Sequence, residues 1–171
     1  MGAHEQGIDV TSRRWTTIPR TLSFVTNDGD VLLMQRSLRT RIFPGRYNGI
    51  GGHLERGEDP LTGALREIGE ETGLIVRDVR LRGLCNVDAG QDVGVLLFVF
   101  TARADSRQTV ECAEGTLHWV PIAAAYSLPL VEDLSILLPR LFGSGASDSP
   151  FFAHVRYDPA DQMIMTFASQ G

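Results

Sequence analysis

The chain has 171 residues, of which 43% are apolar and 22% are charged, and this is the composition of one globular domain rather than of a disordered chain. Its longest apolar run, residues 93–100, is far shorter than the roughly 20 residues that cross a bilayer. The net charge of −5 disfavours a broad electrostatic grip on nucleic acid. We therefore expect neither a membrane nor a nucleic acid as a stable partner.

The basic residues and the cysteines exclude further classes of function. All 16 basic residues are Arg, so mechanisms that need a lysine amine are excluded. Cys85 and Cys112 are far apart without CxxC spacing, which is typical of reduced, buried thiols. The four histidines show no metal-ligand spacing, so we do not expect a zinc enzyme. With a polar N-terminus that lacks a signal-peptide core, these features predict a cytoplasmic protein.

The chain begins with a segment of no regular pattern. Residues 1–17 are predicted to be a loosely ordered arm, followed by a single domain over residues 18–171. Two β-rich runs, at 20–26 and 31–36, flank an Asn-Asp-Gly-Asp sequence at 27–30. This combination predicts a β-hairpin.

A polar, Arg-rich loop at 37–47 and a Gly-rich stretch at 48–54 precede the first predicted helix. Asp59 followed by Pro60 predicts the start of that helix, because Asp is a good N-cap and Pro is favoured at the first helical position. Gly73 predicts its end. Apolar residues recur at the spacing of one helix face, and the predicted buried residues are Leu61, Ala64, Leu65 and Ile68.

The rest of the chain contains more strands and one more helix. Residues 130–142 have helical periodicity and are followed by a Gly/Ser-rich loop at 143–150. Strands are predicted at 79–86, 93–103, 115–120, 151–157 and 162–168. Strands that bracket two helices without regular alternation predict an α+β fold, with a mixed β-sheet sandwiched between helices in an α/β/α arrangement.

Three carboxylates in the first helix are the main chemical feature. Glu67, Glu70 and Glu71 are spaced at i, i+3 and i+4, which brings them to one side of a helix. A solvated acidic face is the ordinary explanation of such a triplet. Two features favour a binding site: the predicted apolar stripe on the opposite face, and the preceding glycines, where backbone can approach a ligand. Because Mg²⁺ prefers carboxylate oxygens and substrate phosphates, we predict a metal–polyphosphate site.

The spacing around these carboxylates extends to a longer pattern. Gly52 is followed by five residues and Glu58, then by seven residues and the sequence Arg-Glu-Ile-Gly-Glu-Glu-Thr-Gly-Leu at 66–74. The pattern G-x5-E-x7-R-E-U-x-E-E-x-G-U, with U apolar, is matched at every specified position. The chain resembles the Nudix hydrolases and is expected to share the Nudix fold.

The resemblance implies cleavage of a nucleoside diphosphate linked to another group. It implies Mg²⁺ as the cofactor, with Mn²⁺ as the alternative. It implies that Glu67 or Glu70 is the general base. Glu58 and Arg66 match positions that brace the loop against the helix, and Gly73 matches the structural glycine near the end of the pattern. The positions that match the family's metal ligands are Gly52, through its carbonyl, Glu67, Glu70 and Glu71.

The flanking sequence is similar to the MutT/MTH-type oxidised-purine triphosphatases. The similar segments are residues 31–36 and 45–52. Leu130 stands where that group has a stacking Trp. The similarity implies substrate contacts from Arg36, Asn48, Gly51, Glu132 and Asp133, with Glu114 helping at the metal centre.

Each of these flanking residues also has a simpler explanation. Asn48 equally fits a turn beside Gly49. Glu132 and Asp133 equally fit the first turn of a helix, where acidic residues are favoured by the dipole. Glu114 equally fits a solvated loop.

The sequence thus predicts a Mg²⁺-dependent nucleoside triphosphate pyrophosphohydrolase that releases a nucleoside monophosphate and pyrophosphate. Oxidised purine nucleotides such as 8-oxo-dGTP are the expected substrates, which would make it an 8-oxo-dGTP diphosphatase that cleans the nucleotide pool. The alternatives are a Nudix hydrolase of ADP-ribose, NADH or a nucleotide sugar, and an inactive Nudix-fold binding or regulatory module. A small-molecule nucleotide is the expected partner of a monomer or homodimer.

Overall fold

A computed structural model describes residues 14–169 of the chain. Within this range no helix is both long enough and apolar enough to cross a membrane. The helices are α1 (Pro60–Thr72), α2 (Ile122–Ala125) and α3 (Leu134–Phe142). The strands are β1 (Thr16–Asn27), β2 (Asp30–Arg36), β3 (Tyr47–Asn48), β4 (Val76–Asp88), β5 (Val93–Ala104), β6 (Gly115–Pro121), β7 (Phe151–Tyr157) and β8 (Met163–Phe167).

The strands form one mixed sheet. Its order is β3-β2-β1-β5-β4-β7-β8, and β6 pairs with β2. β1 pairs with β5, and β4 with β7, in parallel, while the remaining pairs are antiparallel. The predicted hairpin is confirmed, since β1 and β2 join at residues 27–30.

Helices cover both faces of this sheet. On one face Leu137 of α3 belongs to a buried cluster with Phe24 and Leu33. On the other face Ile68 of α1 belongs to a second cluster with Leu32. Neighbouring residues of β2 point to opposite faces of the sheet, which is why Leu32 and Leu33 fall into different clusters. The predicted α+β class with an α/β/α arrangement is confirmed.

The Gly-rich stretch fills a split between β1 and β2. Ser23 and Ile50 exchange both backbone hydrogen bonds, at 2.6 and 2.9 Å, and the Thr21 N–H donates to the Gly52 carbonyl at 2.9 Å. On its other side β3 pairs with β2. Backbone partners on both sides therefore fix the position of residues 47–52.

The boundaries of α1 confirm the sequence prediction. The Asp59 carboxylate accepts hydrogen bonds from the backbone N–H groups of Leu61 and Thr62, at 2.8 and 3.0 Å. Pro60 is the first residue of the helix, and Gly73 takes the left-handed conformation (φ 70°) that ends it.

The prediction of the buried face of α1 was wrong for two of its four residues. Ala64 and Ile68 are buried, but Leu61 and Leu65 are exposed. Glu71 is buried instead. Glu71 is buried because its carboxylate accepts a hydrogen bond from the Gly51 N–H at 3.2 Å. This contact places Glu71 on the side of α1 that faces the glycines.

Two further predicted boundaries need correction. α3 begins at Leu134 rather than at residue 130, because residues 129–131 pair with Tyr47, whose carbonyl accepts the Val131 N–H at 2.9 Å. β1 begins at Thr16, so the predicted arm cannot extend to residue 17. The rest of that arm, residues 1–13, lies outside the described residues.

Candidate active site

The three carboxylates of α1 lie in different surroundings. The Glu67 side chain is 15% exposed and lies against Gly52. A side chain at Gly52 would collide with it, since a Cβ there would lie 2.8 Å from the Glu67 carboxyl carbon. The Glu70 side chain is 61% exposed. The helix therefore turns Glu67 and Glu71 toward the glycines and leaves Glu70 in solvent.

Glu71 is the most perturbed of the three. Burial, together with the negative charges of Glu114 and Glu67, raises the pKa of its carboxyl to about 8. The hydrogen bond from Gly51 and the positive charge of Arg36 oppose this rise. Several carboxylates are thus close enough to repel one another, and a bound cation would relieve that repulsion.

Arg66 connects the loop to the helix. Its guanidinium donates to the Glu58 carboxylate at 2.8 and 3.1 Å, to Glu67 at 3.1 Å and to Glu70 at 3.0 Å. It also donates to the carbonyl oxygen of His53 at 3.0 Å. These hydrogen bonds hold the pKa of Glu58 below its usual range and that of Arg66 above it. Arg66 therefore both braces the loop and orients two carboxylates.

A cavity of about 230 Å³ opens beside the glycines. The five residues that the sequence predicts to contact substrate all line it, namely Arg36, Asn48, Gly51, Glu132 and Asp133. Gly52 lines it as well. Glu114 lies beside the cavity, because its carboxylate is 3.7 Å from the guanidinium of Arg36, which lines the cavity.

Asn48 makes the turn contact that its simpler explanation requires, because its side-chain oxygen accepts the Gly49 N–H at 2.9 Å. It also lines the cavity, so the two roles are compatible.

Asp133 does not behave as an ordinary helix-start residue. It is the N-cap of α3, yet its side chain caps no N–H group in the described part of the chain. Its Oδ1 atom is buried and has no hydrogen-bond partner among residues 14–169. Burial, with a smaller contribution from the charge of Glu132, raises the pKa of this carboxyl to about 6. Because α3 begins at Leu134, Glu132 and Asp133 both precede the helix, and their predicted position in its first turn was wrong.

A NUDIX domain family model matches residues 16–141 of the chain. The chain belongs to the Nudix family. Over 130 residues it is 31% identical to an uncharacterized Nudix hydrolase, YvcI of Bacillus subtilis, and this match covers 72% of the chain and 79% of that protein. This chain is therefore a Nudix hydrolase that acts on phosphoanhydride bonds.

Solved structures show the same fold. A MutT protein from Bacillus halodurans superposes with a TM-score of 0.75 at 24% identity, over 90% of this chain and 99% of that one. The NUDIX domain of Shewanella oneidensis NrtR, solved with ADP-ribose, gives 0.63 at 21% identity, over 82% of this chain and 96% of that one. The fold of this chain is the Nudix fold.

The carboxylates of the Nudix box are not gathered around one point. Among residues 14–169, no three His, Cys, Asp or Glu side chains are arranged so that they could hold a metal ion. The hydrogen bonds explain this, since Arg66 draws Glu67 and Glu70 to its guanidinium and Gly51 holds Glu71. The donors are nevertheless hard oxygens that repel one another, and this chemistry fits Mg²⁺.

The sequence did not predict that Arg20 would lie beside the Gly-rich stretch. Arg20 lines the cavity, and its Nε and Nη2 atoms lie 3.1 and 2.8 Å from Nε2 of His53. The two residues are cross-strand neighbours where the Gly-rich stretch pairs with β1. The alternation of side chains along β1 predicts which face of the sheet Arg20 occupies. Its contact with His53, 33 residues away, could not be predicted, because it depends on the insertion of the Gly-rich stretch between β1 and β2.

The C-terminal strands β7 and β8 form one wall of the cavity, and none of their residues was predicted to be part of the site. Four residues of β7 and β8 line it: Val155, Tyr157, Met163 and Met165. The sequence predicts both strands but carries no local signal for their position in the sheet.

Proposed function

We propose that this Nudix hydrolase is a Mg²⁺-dependent nucleoside triphosphate pyrophosphohydrolase that acts on oxidised purine nucleotides such as 8-oxo-dGTP. The products are the nucleoside monophosphate and pyrophosphate. The observation that carries the proposal is one cavity lined at once by Gly51 and Gly52, beside the carboxylates of α1, and by Asn48 and Asp133. A nucleotide with its phosphates at the glycines would have its base at Asn48 and Asp133.

The phosphate end contains positive charge and carboxylates. Arg36 and Arg20 supply guanidinium groups for phosphate oxygens. Mg²⁺, when bound, neutralises charge on the phosphates. The residues that would hold it are Gly52, Glu67, Glu70, Glu71 and Glu114.

One carboxylate of the box takes the proton of the attacking water. Glu67 and Glu70 are both candidates, and Arg66 positions each of them through a hydrogen bond of about 3 Å. Glu70 is the more exposed of the two, whereas Glu67 lies next to the cavity-lining Gly52.

The base end suits a ring whose edge has been altered by oxidation. Oxidation of guanine at C8 turns N7 from an acceptor into an N–H donor. The Asp133 carboxyl has a pKa of about 6, and its Oδ1 atom has no hydrogen-bond partner among residues 14–169. That oxygen accepts from such a donor when the carboxyl is ionised, and the carboxyl donates when it is protonated. Asn48 offers both a donor and an acceptor beside it. This pair can therefore separate an oxidised purine from a plain one.

The test is a substrate panel with purified protein and Mg²⁺, with all products resolved by chromatography. The panel holds 8-oxo-dGTP, 2-oxo-dATP, the plain nucleoside triphosphates, ADP-ribose, NADH, a nucleotide sugar and a dinucleoside polyphosphate. We expect kcat/KM for 8-oxo-dGTP to exceed that for dGTP at least tenfold, with monophosphate and pyrophosphate as products. A preference for ADP-ribose, NADH or a nucleotide sugar would overturn the proposed substrate.

The role of Asp133 is tested with the same panel. Asp133→Asn should lower kcat/KM for 8-oxo-dGTP at least tenfold and that for dGTP less than threefold, because only the oxidised ring offers N7–H to the carboxylate. Asp148→Asn, the same change at an exposed residue outside the cavity, should alter neither value. Equal losses on both substrates would contradict the base-reading role.

A further inference from the structure

The C-terminal hairpin β7–β8 lies beyond the segment that the family model matches, yet it forms part of the cavity. That match ends at residue 141, and the hairpin spans residues 151–167. Val155 and Tyr157 of β7 and Met163 and Met165 of β8 line the cavity. Val155 stands opposite Met165, and Tyr157 opposite Met163, so all four side chains share one face of the hairpin.

This face continues into the neighbouring strands as an apolar floor. Val95, Val87, Val155 and Met165 are successive cross-strand partners on β5, β4, β7 and β8, and each of them lines the cavity. Neighbouring strands lie about 4.8 Å apart, so a row across four strands is longer than a bicyclic ring. The floor is therefore large enough to contact the face of a planar heterocycle.

The side chains of the hairpin suit such a ring. Thioethers are polarisable and make favourable contacts with aromatic rings. Met163 and Met165 are only half-buried, so part of their surface is open. Leu130 stands where the resembled enzymes have a stacking Trp, and the two methionines provide an alternative surface.

Tyr157 adds a polar group at the edge of this floor. Burial and the negative charges of Glu132 and Asp133 raise the pKa of its phenol, so the hydroxyl stays protonated near neutral pH. The Tyr157 hydroxyl therefore adds a second hydrogen-bond donor, besides the Asn48 amide, at the end of the cavity that contains Glu132 and Asp133.

We propose that the hairpin β7–β8 determines which base this chain accepts, with Met163 and Met165 against the face of the heterocycle and the Tyr157 hydroxyl at its edge beside Asp133. The inference rests on the proposed function, since it assumes that the cavity receives the base of a nucleotide. The phosphate chemistry stays with the Nudix box, so changes in the hairpin affect KM and base preference rather than kcat.

The experiment compares variants on the two faces of the hairpin β7–β8. Met165→Ala and Met163→Ala should each raise KM for 8-oxo-dGTP about tenfold and change kcat less than twofold. Tyr157→Phe should lower the ratio of kcat/KM for 8-oxo-dGTP to that for dGTP at least fivefold. Ile164→Ala, on the other face of β8, is the matched control and should leave all values within twofold. Equilibrium binding of 8-oxo-dGMP, measured by calorimetry, should weaken in the three cavity variants and stay unchanged in Ile164→Ala.

The outcomes separate the inference from the function on which it rests. If the wild-type enzyme prefers an oxidised purine and the three cavity variants behave like Ile164→Ala, the inference is overturned and the function stands. If the wild-type enzyme prefers another nucleotide derivative, the proposed function fails. The variants are then assayed on that substrate, where an unchanged KM overturns the inference and a raised KM supports it. Met163→Ala, at the end of the hairpin, keeps the test valid if Met165→Ala does not fold.

Discussion

Asp133 combines burial with the absence of a hydrogen-bond partner for Oδ1 in the described part of the chain. Such a carboxyl destabilises the folded state when it ionises. Its pKa is about 6 in the folded protein and 3.8 in a free side chain, so the folded state favours the protonated form. The contribution of Asp133 to stability is therefore greatest below about pH 4 and is lost as the pH rises through 6.

Asp133→Asn should remove this dependence. The difference between the two pKa values corresponds to at most about 3 kcal/mol, and we expect the variant to gain on the order of 2 kcal/mol at pH 7.5. At pH 4 the two proteins should be equally stable. Urea unfolding at both pH values measures this, and an equal free energy of unfolding at pH 7.5 would contradict it. A residue that destabilises the fold in this way is typical of a functional site.

At the scale of an element, two glycines of the Nudix box make opposite predictions. Gly52→Ala should lower kcat at least a hundredfold, because its Cβ would displace the Glu67 carboxylate. Gly69→Ala, on an open face of α1 with no atom within 4 Å of the new Cβ, should stabilise the protein by about 0.5–1 kcal/mol and leave kcat unchanged. Steady-state kinetics and thermal melting of both variants test this pair. If Gly69→Ala loses activity as well, the effect at residue 52 cannot be assigned to the Glu67 contact.

The ends of α1 could be predicted from the sequence because capping is local. Asp59 bonds to N–H groups two and three residues away, and Gly73 needs only its own backbone freedom. The buried face was harder to predict, since Glu71 is turned inward by a hydrogen bond from Gly51, 20 residues earlier. Hydrophobic periodicity carries no information about such a contact.

The candidate site follows the same division. The Nudix box lies in one continuous segment, so its spacing identified Glu67 as a candidate, and the family resemblance added Arg66. The hairpin β7–β8 reaches the cavity only because β7 pairs in parallel with β4, more than 60 residues earlier. Its residues read as ordinary strands, and no local pattern distinguishes Met165 from a core residue.

For the whole molecule, the repulsion among the box carboxylates predicts that Mg²⁺ stabilises the fold. A ligand at ten times its dissociation constant adds about 1.4 kcal/mol, which raises the Tm of a domain of this size by about 3–6 °C. Thermal melting with MgCl₂, compared with NaCl at equal ionic strength, measures this without any substrate. Glu67→Gln should reduce the shift. An equal shift in both salts would contradict a specific site.

The parallel pairing of β1 with β5 also governs how the molecule is made. Thr16 pairs with Val93, and the same separation along the chain is kept through eleven pairs. Loop closure over such distances is slow, and sheets of this kind fold late. Because β1 also holds the Gly-rich stretch through Ser23 and Ile50, the nascent chain carries every box residue well before it can assemble them. At synthesis rates of about 5–20 residues per second, the unfinished chain therefore contains the residues of the box for seconds before they can form a site.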